Sequence, residues 1–144
     1  MTTKDGVLPA GGITQKEATN WTGAWQAAYP NLSKAFLIPN ADILSLLEEL
    51  GVLVPDGKGG FTVHSNPPTY GIRAYMAIGP DPANPKQNEE KLVMVGTVDV
   101  KGEYQDQVLG TSNPLQIPLT GSGAFDFTRP CPFLCDKNSP LNHK

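Results

Sequence analysis

The sequence predicts an α+β domain, with two helices packed on a small, mostly antiparallel sheet and an irregular proline-rich C-terminal tail. Three observations carry that expectation. Apolar residues recur at helical spacing twice before residue 51, they alternate at strand spacing between residues 70 and 100, and proline and glycine take over beyond residue 110. A chain of 144 residues has the length of one domain, which buries roughly 68% of its unfolded surface and can hold a core without metal or disulfide. Residues 1–144 are therefore expected to form a single domain, with 1–13 loosely held and 136–144 polar enough to be flexible.

The first helix is expected over residues 15–28. Thr14 and Glu17 have the spacing of a capping box, and the helix should stop near Tyr29-Pro30. Its stripe of Ala18, Trp21, Trp25 and Ala28 points to a core-facing side. Residues 31–38 form a bridge that could hold a helical turn. A second, short helix over 40–50 has Asn40 as N-cap, Asp42 in its first turn and Gly51 just past its end. Ile43, Leu44, Leu47 and Leu50 should face the core, with Glu48 and Glu49 in water.

After Gly51 the period changes. Val52–Val54 and Phe61–His64 flank a glycine-rich turn and predict a small hairpin. The clearest strand alternates Tyr70, Ile72, Ala74, Met76 and Ile78 with Gly71, Arg73, Tyr75 and Ala77. Its partner spans 91–100. The polar linker 79–90 holds three prolines and no amphipathic pattern, so the two strands should pair antiparallel. Lys101-Gly102 can turn the chain into an edge strand at 104–109.

Charge excludes more than it assigns. Eleven basic residues face fourteen acidic ones, and no two Lys or Arg are adjacent, so the positive surface that attracts phosphate is missing and no nucleic-acid partner is expected. No stretch has the length of a membrane span, and the N-terminus lacks the basic start and apolar run of a signal peptide. No membrane association, a cytoplasmic location and no cofactor are expected. Two cysteines suit that location.

The most conspicuous local feature is Asp126-Phe127-Thr128-Arg129-Pro130-Cys131-Pro132-Phe133-Leu134-Cys135. With the capped, Trp-bearing first helix, the strand Gly71-Ile72-Arg73-Ala74-Tyr75 and the pair Val95-Gly96, this tail resembles small Bacteroidota-type bacterial proteins that end in Asp-Phe-x-Arg-Pro-Cys-Pro-x-x-Cys. The resemblance touches about half the chain in scattered segments and implies no activity.

Several residues have the chemistry for a site. Cys131 and Cys135, with His143 and His64, hold the raw inventory of a Cys2His2 zinc site, but the C-x3-C spacing is loose and no second compact ligand pair exists. A turn could equally join the two cysteines, or leave them as packed thiols. As nucleophiles, Cys131 or Cys135 would need His64 or His143 beside them, and a plain strand-edge role suits His64 better. Arg73 and Tyr75 project from one sheet face, where Asp99 or Asp126 could meet Arg73. Arg129 is expected to latch a docked tail in which Phe125 and Phe127 face one side and Asp126 the other. Trp25 offers a binding surface should its helix leave it exposed. The reading that follows is a non-enzymatic protein-interaction or structural protein, with another protein as partner and the oligomeric state left open. The alternatives are a small thiol-dependent enzyme or redox protein using Cys131 and Cys135, and a zinc-stabilised adaptor.

Overall fold

A threonine hydroxyl and a glutamate carboxylate three residues apart can satisfy each other's amides at a helix start. In the computed structural model, which describes residues 10–110, 121–126, 129–130 and 136–143, they do so. Thr14 Oγ1 accepts the Glu17 amide at 3.2 Å and the Glu17 carboxylate accepts the Thr14 amide at 2.9 Å. Helix α1 (Gln15–Ala28) follows, capped at its end by Tyr29.

The buried side of α1 is not the expected one. Trp21 and Trp25 are exposed, and the helix instead buries Gln26, with Ala18, Thr19, Thr22 and Gly23 half-buried. The cause is what covers it. Residues 136–143 lie along this face: Gln26 Nε2 donates to the Leu141 carbonyl at 2.8 Å, and Gln26 Oε1 accepts the His143 amide at 2.9 Å. The His143 ring rests on Gly23, where a Cβ would come within 3.0 Å of it. Lys34 adds a hydrogen bond from its ammonium to the His143 carbonyl. A segment so polar offers hydrogen bonds rather than apolar area, so the helix presents its small and polar residues to it. These segments belong to one compact unit, Met1–Ala35 with Cys131–Lys144, and Phe36–Pro130 forms another.

The second unit begins with β1 (Phe36–Leu37), where the sequence allowed a helical turn, paired antiparallel with β8 (Arg129–Pro130). Helix α2 (Asn40–Glu49) comes next. Its N-cap is Pro39 rather than Asn40: the proline carbonyl accepts the Asp42 and Ile43 amides at 3.1 Å, with no side-chain cap bond. Its end is as expected. Gly51, at a φ of 71°, sends its amide to Glu48 and Val52 sends its amide to Leu47, both at 2.9 Å, the bond pair of a Schellman ending.

Strands β2 (Leu53–Pro55) and β3 (Phe61–Val63) make the expected hairpin. β4 (Gly71–Pro80) and β5 (Asn88–Val100) pair antiparallel from Gly71↔Thr97 to Pro80↔Asn88. Lys101 and Gly102, both at positive φ, turn the chain into β6 (Glu103–Asp106), and β7 (Ala124–Phe125) lies beside Met94 and Val95 on the same edge of β5. Phe125 and Asp126 thus take opposite faces, as alternation in the tail predicted, while Phe127 is outside the described residues.

The core joins α2 to one face of this sheet. Leu46, Leu50 and Met94 are buried, with Ile38, Val52 and Phe125 packed against them. Ile43 and Leu44, expected inside, are exposed, and Leu47 is half-buried. The helix carries apolar residues at 43, 44, 46, 47 and 50, enough for either edge of the stripe to face inward. Gly96 decides between them. A Cβ there would come within 2.5 Å of Leu50 Cδ2, so the bare backbone accepts the Leu46–Leu50 row.

Two predictions follow from this packing. Leu46→Ala should cost about 2–5 kcal/mol, and Ile43→Ala under about 1 kcal/mol, in denaturant titrations. Gly96→Ala should cost about 1–3 kcal/mol by overpacking; an Ile43 loss equal to that of Leu46 would reverse the helix faces. At the start of α1, Thr14→Ala should cost about 1 kcal/mol. The Glu17 carboxyl is held below its ordinary value by the Thr14 hydroxyl and then by the Thr14 amide. Its folded pKa is thus depressed, so the Thr14–Glu17 coupling should be complete above the ordinary glutamate pKa and fade as pH falls through the lower folded value. A double-mutant cycle at neutral and acid pH measures it.

Candidate functional site

Alternation sorts the sheet into two surfaces. On the face away from the Leu46–Leu50–Met94 core, β4 presents Arg73, Tyr75 and Ala77, β5 presents Val95, Val93 and Lys91, and β6 presents Tyr104 and Asp106. Arg73 Nη1 donates to Asp106 Oδ1 at 2.5 Å, its Nη2 donates to the Tyr104 carbonyl at 3.0 Å, and the Tyr75 hydroxyl donates to Asp106 Oδ2. Both β4 side chains therefore reach across β5. Neither Asp99 nor Asp126 is the partner expected for Arg73. Asp99 accepts the Gly102 amide at 2.7 Å in the turn, and Asp126 is 3.4 Å from the Lys91 ammonium. The Tyr75 hydroxyl, opposed by desolvation and aided by Asp106, raises the Arg73 pKa above its ordinary value, so the guanidinium is charged at any working pH.

Lys91 is the residue the sequence reading missed. It is buried, donates to Glu89 at 2.7 Å, and ties β5 to the segment after β7 through Asp126. Lys91 thus gives the segment after β7 an electrostatic tie; the side chain of Arg129, the expected latch, is outside the described residues, and only its backbone, paired with Leu37, is seen. A lysine inside an otherwise alternating apolar strand, flanked by Glu89 and Glu90, was the available signal. Its pKa is raised by Glu89, lowered by desolvation and raised again by Asp126, with the net direction upward. Beside it lies an open cleft of about 380 Å³, walled by Ala77, Pro80, Pro82, Lys91 and Asp126.

The histidines serve local structure. His64 Nδ1 accepts the Asn66 amide at 3.0 Å just beyond β3. His143 Nε2 lies 3.1 Å from the Thr19 carbonyl and 3.4 Å from Thr22 Oγ1. That last distance resembles a hydroxyl–imidazole dyad, but the Thr22 hydroxyl donates to the Ala18 carbonyl at 2.9 Å within the helix. Cys131 and Cys135 are outside the described residues. Among the described residues no three His, Cys, Asp or Glu side chains converge as metal ligands, and no helix is long and apolar enough to cross a membrane.

A second candidate surface lies on α1. Trp21, Trp25 and Tyr29 are 60%, 41% and 48% exposed, and the rings of Trp25 and Tyr29 sit 4.2 Å apart at 41°. Trp25, named as a binding residue from sequence, is thus open on its helix.

Removing Lys91 separates structural ties from surface charge. Lys91→Met leaves Glu89 and Asp126 facing each other and should cost about 1–2 kcal/mol, between an exposed and a buried ion pair. Because the folded Lys91 pKa is raised, its contribution is complete below the ordinary lysine value and is lost as pH rises through the folded one. The gap in melting temperature between parent and variant should therefore narrow at strongly alkaline pH.

Comparison of the chain with protein-family models, curated proteins and solved structures returns no match, so its function must be read from its own residues.

Proposed function

We propose that this chain is a cytoplasmic protein-interaction module that docks the aromatic ridge of α1 into an apolar groove on a partner protein. One observation carries the reading: Trp21 and Trp25 stand at i and i+4 of α1, Tyr29 follows four residues on as its C-cap, and all three are open to solvent. Three anchors at that spacing are how an amphipathic helix is read by a groove. Trp and Tyr are also the side chains that concentrate binding energy, since each buries a large area and few torsions are frozen. Contact between the Trp25 and Tyr29 rings holds two anchors in one arrangement before binding, which lowers the entropic cost. Ala24 and Ala28 beside the ridge are exposed and small, leaving room for groove walls. By contrast, the ionised groups Arg73, Asp106, Lys91 and Asp126 are engaged with one another within the sheet, which favours a structural role for them over catalysis.

The chain's two tryptophans both lie on this ridge, so its indole emission reports on the ridge alone. A photo-crosslinker at position 24 identifies the partner in cells, and titration with the purified partner should shift that emission saturably. Trp21→Ala with Trp25→Ala, whose binding is read by calorimetry since no indole remains, should leave stability within about 1 kcal/mol, as at exposed positions, while weakening binding more than about tenfold. Unchanged affinity in that double variant rejects the reading. So does a stability loss of about 3–5 kcal/mol, the signature of core aromatics.

A further inference from the structure

The outer edge of β4 is the second surface with information in it. Among the described residues β4 pairs as a strand only with β5, so ten residues of strand leave alternate amides and carbonyls without a strand partner on the other side. Natural edges of this length carry lysines, prolines or bulges that block further pairing. β4 has one proline, at its last position, and one charged residue, Arg73, whose side chain is drawn across β5 to Asp106 and away from the edge. Its solvent-facing row is apolar instead: Ile72, Met76 and Ile78 are 44%, 54% and 75% exposed.

The strand also reads almost the same in both directions about Tyr75. Gly71 answers Gly79 and Ile72 answers Ile78, Ala74 answers Met76 with an apolar residue of another size, and Arg73 and Ala77 alone differ in charge. We infer that two copies of this chain pair antiparallel through β4, about a two-fold axis at Tyr75, joining their sheets into one. In that arrangement Ile72 of each copy meets Ile78 of the other and Ala74 meets Met76, so the exposed row covers itself. This is the self-complementary patch that a two-fold interface requires.

Charge permits the pairing. Each Arg73 stands opposite an alanine, and the two guanidinium-bearing positions lie about 13 Å apart along the strands at ~3.3 Å per residue. Pro80, which has no amide hydrogen to give, ends the ladder at one end and by symmetry at the other. The area sets the strength. The strand and its exposed side chains offer on the order of 600 Å² per copy, below the ~800 Å² per partner of a standard interface, so association is reversible and in the micromolar range.

Sedimentation velocity of the full chain from about 1 to about 300 μM spans that range. The expected result is a concentration-dependent monomer–dimer equilibrium, with amides of 71–79 exchanging more slowly at the high end. Met76→Lys sets two lysines about 7 Å apart beside the axis at ~3.3 Å per residue, Ile78→Lys sets a charge against Ile72 of the other copy, and each should weaken the dimer at least about tenfold. Val63→Lys, at an equally open apolar position on β3 (74% exposed), should leave it unchanged. Circular dichroism and melting temperature confirm that the variants fold; should one fail to fold, the concentration dependence of exchange in the parent decides. A parent that stays monomeric throughout overturns the inference. So does a dimer that both lysine variants preserve, or one whose exchange protection lies outside 71–79.

Discussion

The contact between Leu50 and the bare backbone of Gly96 sets how closely α2 can approach β5, and the larger unit is arranged around it. A side chain at residue 96 would hold the helix away from the sheet, and Leu46 and Met94 would lose the contact that buries them. With the helix seated, Val52 and Ile38 close the sides of the core and Phe125 closes it from β7. The same seating explains a neglected part of the sheet. The helix meets β5 at Met94 and Gly96, and Ile72, Met76 and Ile78 are left in water although they share a face with Met94.

Legibility in the sequence followed the range of the interaction. The Thr14–Glu17 box, the ending at Gly51, the Lys101-Gly102 turn and the long hairpin of β4 with β5 each depend on residues close in sequence, and each was readable. The choice of buried face was not. Periodicity locates a stripe but leaves its partner unnamed: α1 is covered by the polar residues 136–143, so Gln26 is buried and the tryptophans are not, a reversal that no hydropathy pattern in 15–28 contains. α2 likewise needed the position of Gly96, about fifty residues away, to choose Leu46 over Ile43.

The candidate site shows the same division. Arg73 and Tyr75 were placed correctly on one face, because strand alternation requires it, yet their carboxylate proved to be Asp106 on the third strand rather than Asp99 or Asp126. Partner choice among acids depends on register between strands. Lys91 escaped notice since a lysine in a strand is ordinarily solvated, and only the return of the chain at β7 brings Asp126 to it. Charge on this surface is used to hold strands together, which leaves the apolar and aromatic patches, on α1 and along β4, as the places where the molecule is unfinished.

The pairing of β1 with β8 has a consequence for how the chain is organised as a piece of architecture. Phe36 and Pro130, the first and last residues of the larger unit, are opposite each other on adjacent strands. The smaller unit is built from the segments on either side of them in sequence. The larger unit is therefore an insert whose two ends leave from the same spot, the geometry in which one domain can be spliced into a loop of another without disturbing either. Joining residues 36 and 130 by a short linker and reopening the chain in a surface turn, such as the glycine-rich one between β2 and β3, would give a circularly permuted insert with every strand and helix still in its place.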